Sequence, residues 1–199
     1  MKRILLIRHG QTDWNVEGRW QGHLDQPLNA TGMEQARALA EYLRDRPIDA
    51  VYSSDLARAR VTAEQIAEPH RLAVITDVRW REQDLGVFQG LTTSEISGKY
   101  PEEMRQLREN YLDFAPPEAE TRRVMQDRAF AAYSEILVHE TGSDIAIVSH
   151  GGTIRVLLYK FFGEDILRRS VHNTSISIIE TDGKTQRLIE TAVTPHLID

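Results

Sequence analysis

Two apolar runs in this chain stop at side chains suited to phosphate chemistry. The first, Arg3 to Ile7, ends at Arg8-His9-Gly10, and the second, Asp144 to Val148, ends at Ser149-His150-Gly151-Gly152. Short β-branched and Leu-rich runs of this kind read as strands buried on both faces of a parallel sheet. Open α/β sheets bind ligands beyond the carboxyl ends of such strands. A guanidinium, an imidazole and a glycine delivered together supply an oxyanion clamp, a nucleophile or base, and close backbone approach. A second arginine joins them, because Arg58 falls in the first turn of a helix following the strand Asp49 to Ser53, on the same rim as His9.

Arg8, Arg58, His9 and His150 amount to two cations that stay charged and two imidazoles. Phosphoryl transfer uses such a set, because its catalysis is mostly positioning and neutralisation of charge on the equatorial oxygens. The planar fork of arginine is well shaped for that task. Two neighbouring guanidinium charges also depress the pKa of His9, so its imidazole is expected to be neutral and nucleophilic at pH 7. Expulsion of an alkoxide needs a proton donor that later activates water. Glu82, in a turn-rich stretch after the third strand, is the favoured carboxylate, and Asp13, Glu17, Asp25 and Asp84 are rivals that spacing does not eliminate.

Other phosphate machineries lack their parts. Gly183-Lys184-Thr185 looks like the tail of a P-loop, but Ile178 stands where the first glycine belongs. There is no Asp-x-Asp at a strand end, and the histidines form no HExxH or His-x-His cluster. A reaction without metal or other cofactor is expected. The absence of cysteine removes thiolate metal sites, disulfides and cysteine nucleophiles. The formal charge of −6 argues against non-specific binding to nucleic acid or an anionic membrane. The expected partner is a small-molecule phosphate ester, with the chain a monomer or homodimer. The apolar run after Met1-Lys2-Arg3 is too short for a signal peptide, and no stretch approaches the ~20 apolar residues of a spanning helix. A cytoplasmic location is the default.

These residues need elements to hold them, and 199 residues fit one α/β domain, residues 1–199. Trp14 and Trp20 argue that the polar segment from Gln11 to Ala30 is an ordered, functional loop. A helix is expected from Thr31, with Thr31 and Glu34 as a capping box and Met33, Ala36, Ala40 and Leu43 on one face, ending before Pro47. Ser54 or Asp55 caps the next helix, which reaches about Ala67, and Leu72 to Thr76 is a third strand. Residues 84–123 read as a small helical cap insertion over the strand ends, with short helices near Ser94–Lys99 and Pro101–Asn110. A long helix from about Arg122 to His139 carries Met125, Ala129, Ala132 and Ile136 as a core stripe, and Thr153 to Phe162 is helical behind the second histidine. Ser175–Glu180 and Gln186–Ala192 form a hairpin across Thr181-Asp182-Gly183-Lys184. The fold class is α/β, a three-layer α/β/α arrangement whose mixed central sheet is mostly parallel with an antiparallel end.

RHGQTDWN at residues 8–15, Gln21-Gly22, SSDLARARVTAE at 53–64, Glu82 and SHGG at 149–152 resemble the histidine phosphatase superfamily, also called phosphoglycerate mutase-like, in the family's order and over nearly the whole chain. The resemblance implies that His9 is the residue phosphorylated, that Arg8, Arg58 and His150 form the phosphate pocket, and that Glu82 is the proton donor. It adds Asn15, Gln21, Gly22 and Gly151 as substrate-binding positions. Gln11-Thr12 after RHG, and the lack of the long insert of the bisphosphoglycerate-dependent mutases, favour the phosphatase branch. The implied activity is metal-independent hydrolysis of small phosphate monoesters through a phosphohistidine on His9. A 2,3-bisphosphoglycerate-dependent phosphoglycerate mutase and a non-catalytic module binding a phosphorylated ligand are the alternatives. In one departure, many relatives carry a Pro-x-Gly-Glu-Ser turn where this chain reads Pro117-Glu118-Ala119-Glu120-Thr121, and alanine is expected to restrict the backbone there.

Overall fold

The structure, a computed structural model, describes residues 1–197. Six strands, β1 (Lys2–Arg8), β2 (Ala50–Ser53), β3 (Val74–Thr76), β4 (Asp144–Ser149), β5 (Ile176–Thr181) and β6 (Gln186–Val193), form one sheet in the order β3-β2-β4-β1-β5-β6. The first four of that order are parallel, β5 runs antiparallel to its neighbour β1, and β6 runs antiparallel to β5. Alternate β1 and β4 residues serve opposite faces. Leu5, Ile7, Ala146 and Val148 pack against Leu39 and Leu43 of α2 (Ala30–Leu43, after the short α1, Asp13–Glu17) and Ala59, Ala63 and Ile66 of α3 (Ala57–His70). Ile4, Leu6, Ile145 and Ile147 meet the other face. Beyond α4 (Thr93–Lys99) and α5 (Pro101–Glu109), that face is covered by Ala129, Tyr133 and Ile136 of α6 (Arg122–His139) and Ile154 and Leu157 of α7 (Gly151–Phe162). Helices on both faces explain why these strands are continuously apolar rather than alternating.

β1 and β4 pair in register from Arg3↔Asp144 to Arg8↔Ser149, so His9 and His150 leave the sheet side by side. His9 N–H still donates to Ser149 O at 3.0 Å. Above these ends, Leu85, Phe88, Ile96, Met104 and Leu107 form a separate small core against which Trp20 packs. The segment after β1 is stitched to it. Trp20 N–H donates to Leu91 O at 2.9 Å, Gly90 N–H donates to Trp20 O at 2.8 Å, and the Trp20 indole donates to Thr93 Oγ1 at 3.0 Å.

Several helix ends differ from the sequence expectation. The cap of α2 is Asn29 rather than Thr31: its Oδ1 accepts from Gly32 N–H at 2.8 Å, while its Nδ2 donates to Gln11 Oε1 at 3.1 Å. Gly32 allows this close seating, since a methyl group there would lie 2.1 Å from Gln11 O. Neither Ser54 nor Asp55 caps α3. Leu56 occupies that position, and the loop's Asp25 Oδ1 accepts from Ala57 N–H at 2.8 Å, a long-range substitute invisible to local sequence. The helix also runs past Ala67 to His70 with Pro69 in its last turn, and it ends at Arg71, whose left-handed backbone (φ 58°) directs its N–H to the carbonyls of Ala67 and Glu68. α7 begins at Gly151, two residues before the expected start. In the turn where relatives carry glycine, the left-handed residue is Glu118 (φ 64°), not Ala119, so the alanine is not the strained position.

Candidate active site

The two strand-end histidines are buried and their ring centroids lie 5.1 Å apart. Nδ1 of His9 is 2.6 Å from Gly10 O. A carbonyl can only accept, so Nδ1 carries the proton and the neutral ring keeps its lone pair on Nε2. Nδ1 of His150 instead accepts from Arg58 Nε at 3.3 Å, which places its proton on Nε2, a buried atom with no partner among the described residues. Burial above all, then Arg58 and Arg8, holds His9 well below the ordinary imidazole range. His150 is depressed by burial first and then by Arg58 and His9. Both rings are therefore neutral near pH 7.

Arg58 reaches the site from the first turn of α3, with Nη2 donating to Gly22 O at 2.8 Å and Nη1 to Leu24 O at 2.9 Å. These bonds fold the loop after β1 around the guanidinium. Burial lowers its pKa to about 10, opposed by the charges of Glu82 and Asp25, so it remains a cation at neutral pH. Arg8 is anchored by Nη1 to Val171 O at 2.7 Å, and its buried Nε has no partner. Asn15 Oδ1 accepts from Thr12 N–H at 3.0 Å and from Asn173 Nδ2 at 3.2 Å, leaving the Asn15 amide NH₂ to face the pocket it lines.

Among the described residues Glu82 is the only carboxylate lining the cavity, which measures about 230 Å³. Its Oε2 accepts from Gly152 N–H at 3.0 Å and its Oε1 from Gln83 N–H at 2.9 Å. A methyl group on residue 152 would lie 2.2 Å from Oε1, so glycine is what lets the carboxylate approach α7. The backbone bearing Glu82 is held from several sides. Arg128 donates to the carbonyls of Arg79, Arg81 and Glu82 at 2.8, 2.7 and 2.8 Å, and His23 Nε2 donates to Glu82 O at 2.8 Å. The rival acids are otherwise engaged. Asp25 caps α3, Asp84 Oδ1 accepts from Gly86 N–H at 3.0 Å, Asp13 Oδ1 accepts from Asn29 at 3.2 Å, and Glu17 pairs with Arg19 at 2.7 Å.

The structure thus brings Arg8, His9, Asn15, Gln21, Gly22, Arg58 and Glu82 to the lining of one cavity, with His150 buried beside His9. Gly151 lies against Arg8, and the glycine that lines the cavity is Gly152. Sequence reasoning did not find Arg155, Tyr111 or Arg122, which also line it, or Asn173, whose Nδ2 donates to His9 O at 3.0 Å. Arg155 was findable: it stands three residues after Gly152 on α7 and so shares its helix face. Tyr111 comes from the irregular cap, where periodicity carries no signal, and Arg122 opens α6 at a position whose helical pattern does not show that it reaches the cavity. Among the described residues, no group of three or more His, Asp or Glu side chains is arranged to hold a metal ion, and no helix is long and apolar enough to cross a membrane.

Comparison with known proteins agrees with this geometry. A family model described as histidine phosphatase superfamily (branch 1) matches residues 4–194. Phosphoglycerate mutase-like protein 4 of Arabidopsis thaliana is 39% identical over 178 residues, covering 88% of this chain and 77% of that protein. Phosphoserine phosphatase 1 of Hydrogenobacter thermophilus is 30% identical over 200 residues, covering 99% of this chain and 95% of that one. The solved structure of a mycobacterial glucosyl-3-phosphoglycerate phosphatase in complex with VO₃ superposes with a TM-score of 0.86 at 32% identity, covering 94% of this chain and 97% of the other. With the family match running from β1 into β6, the chain belongs to branch 1 of the histidine phosphatase superfamily and is an enzyme of its phosphatase, hydrolytic kind.

Proposed function

We propose that the protein hydrolyses small phosphate monoesters, without a metal ion, through a phosphohistidine on Nε2 of His9. The observation that carries this reading is the uncommitted Nε2 of a neutral His9, set among Arg8, Arg58 and the Nε2–H of His150 with one carboxylic acid in reach of the same cavity. In the first half-reaction Nε2 attacks phosphorus in line, the P–O ester bond breaks, and Glu82 gives its proton to the departing oxygen. The guanidinium groups and the His150 Nε2–H meet the equatorial oxygens, where charge accumulates. In the second, the Glu82 carboxylate takes a proton from water as that water attacks phosphorus, the P–N bond breaks, and inorganic phosphate leaves. This reading includes a cytoplasmic monomer or homodimer acting on a small ester, with no nucleic-acid or membrane partner.

A phosphoglycerate mutase would use the same His9 and return the phosphoryl group to substrate rather than to water. Phosphate release from p-nitrophenyl phosphate and from 3-phosphoglycerate, measured beside mutase turnover, separates the two. Release from both esters is expected, and mutation-sensitive mutase turnover without release would overturn the proposal. A non-catalytic binding module would release no phosphate and form no phosphoenzyme.

A further inference from the structure

Glu82 lies between β3 and α4, on a stretch that belongs to no strand or α-helix. Its backbone groups therefore need partners from elsewhere, and two residues supply them on both sides of the acid. Arg128 of α6 holds the approach: Nη1 donates to Arg79 O and Arg81 O at 2.8 and 2.7 Å, and Nη2 to Glu82 O at 2.8 Å. Its other two N–H groups go to Glu120, from Nη2 to Oε1 at 2.6 Å and from Nε to Oε2 at 3.2 Å. Glu120 in turn holds the exit. Its Oε1 accepts from Asp84 N–H at 3.0 Å, its N–H donates to Asp84 O at 3.2 Å, and its carbonyl accepts from Gln83 Nε2 at 2.8 Å.

A guanidinium has five N–H donors, and all five of Arg128 are committed to this stretch and to Glu120. None is left for a phosphate, and Arg128 does not line the cavity. Arg8 is the contrast, since it lines the cavity and its buried Nε has no partner. The Arg128–Glu120 pair is also sheltered, with side chains 19% and 16% exposed, so salt screens it less than a surface pair, and deleting one member leaves the other's charge unpaired. The same stretch is tied to the neighbours of His150. Ser149 Oγ donates to Trp80 O and Thr153 Oγ1 donates to Arg81 O, both at 2.7 Å. A backbone fixed this way sets where the Glu82 carboxyl can reach, and a reacting group misplaced by about 1 Å can cost about 10²-fold in rate.

We propose that Arg128 and Glu120 are positioning residues for Glu82, a clamp that acts on proton transfer without touching the substrate. The inference rests on the proposed acid role of Glu82 for its kinetic consequence, and a structural readout tests the clamp apart from that role. Single-turnover phosphorylation of His9 by glycerol 3-phosphate should slow by about 10- to 100-fold in Arg128→Met, and by less with p-nitrophenyl phosphate, whose leaving group needs no proton. Arg128→Lys should recover only part of the loss, because an ammonium has three donors where five are used. In a Glu82→Gln background Arg128→Met should cost nothing further, since the group it places is already gone. Equal slowing of both esters in folded Arg128→Met, or a full loss added on top of Glu82→Gln, overturns the clamp. Should Arg128→Met fail to fold, Glu120→Gln, which keeps the side chain's size and an acceptor for Asp84 N–H, is read by the same criteria. The structural readout is the ¹⁵N–¹H NMR signal of Gly152, whose N–H donates to Glu82 Oε2. Loosening the clamp should move that signal towards its position in Glu82→Ala, and an unmoved signal overturns the clamp whatever the rates show. If Glu82→Gln by itself slowed both esters equally, the acid reading would fall, and the Gly152 signal alone would decide whether Arg128 and Glu120 position the carboxylate.

Discussion

His9 and His150 leave adjacent parallel strands at equivalent points, are equally buried, and feel the same two arginines, yet they are prepared for opposite tasks. The difference lies in the partner of Nδ1. A carbonyl accepts from His9 and frees a lone pair at Nε2, whereas a guanidinium donates to His150 and leaves a proton at Nε2. In the proposed mechanism the first arrangement suits a nucleophile and the second a hydrogen-bond donor. A residue type at a strand end therefore does not define a role until the neighbour of its second nitrogen is known.

The comparison can be broken most directly by deleting each ring. His9→Ala should remove phosphohistidine formation and cost at least ~10⁴-fold in kcat, as loss of a nucleophile does in other covalent mechanisms. His150→Ala removes one donor to the transition state and should cost about 10²- to 10³-fold. Both variants need a thermal melt beside the assay. Equal losses in folded proteins would erase the distinction between the rings.

Glu82→Gln tests the proposed proton donor. Single-turnover phosphorylation by an alkyl ester should slow by about 10²- to 10⁴-fold and by less for p-nitrophenyl phosphate, whose phenolate leaves without protonation. Gly152→Ala should reproduce a milder form of this defect, about 10²-fold, by pushing the carboxylate from its place. If Gly152→Ala slowed both esters equally, displacement of the acid would not be its cause.

The tautomers themselves are readable by ¹⁵N NMR of the imidazoles, with the proton expected on Nδ1 of His9 and on Nε2 of His150. Arg58→Met should release the second preference and leave the first, since only His150 bonds to Arg58. A His9 signal that changed tautomer as well would show that Arg58 controls both.

The smallest expected effect is on acid stability. Burial keeps both histidines neutral in the folded protein, whereas the unfolded chain protonates them near pH 6.5, so below that pH the unfolded state binds more protons and is favoured. Stability should fall as pH drops below ~6.5, by at most about 1.4 kcal/mol per pH unit for each ring. Chemical denaturation of folded His150→Gln between pH 7.5 and 5.5 should show a shallower fall than the wild type, and an identical slope would assign the acid sensitivity to other groups.

Much of this was legible in the chain. The continuous apolar runs of β1 and β4 could only be strands covered on both faces, and their final residues had to project at the rim of the sheet. His9, His150 and, through the start of α3, Arg58 are therefore expected together at that rim. Glu82 is a preference among acids in the sequence, and its place in the cavity is set by contacts such as the N–H of Gly152, 70 positions away. The cap of α3 was misplaced for the same reason, since its partner Asp25 comes from another loop.

Residue order by itself located the strands, the long helices and the strand-end chemistry, because these follow from periodicity and from side chains adjacent along the chain, but not α1, which forms within the polar segment read as a loop. Tertiary structure alone decided which nitrogen of each histidine bears the proton, which carboxylate lines the cavity, and that Tyr111 and Arg122 share it. Those outcomes depend on hydrogen bonds and charges between residues far apart in sequence, whose distances no local pattern encodes.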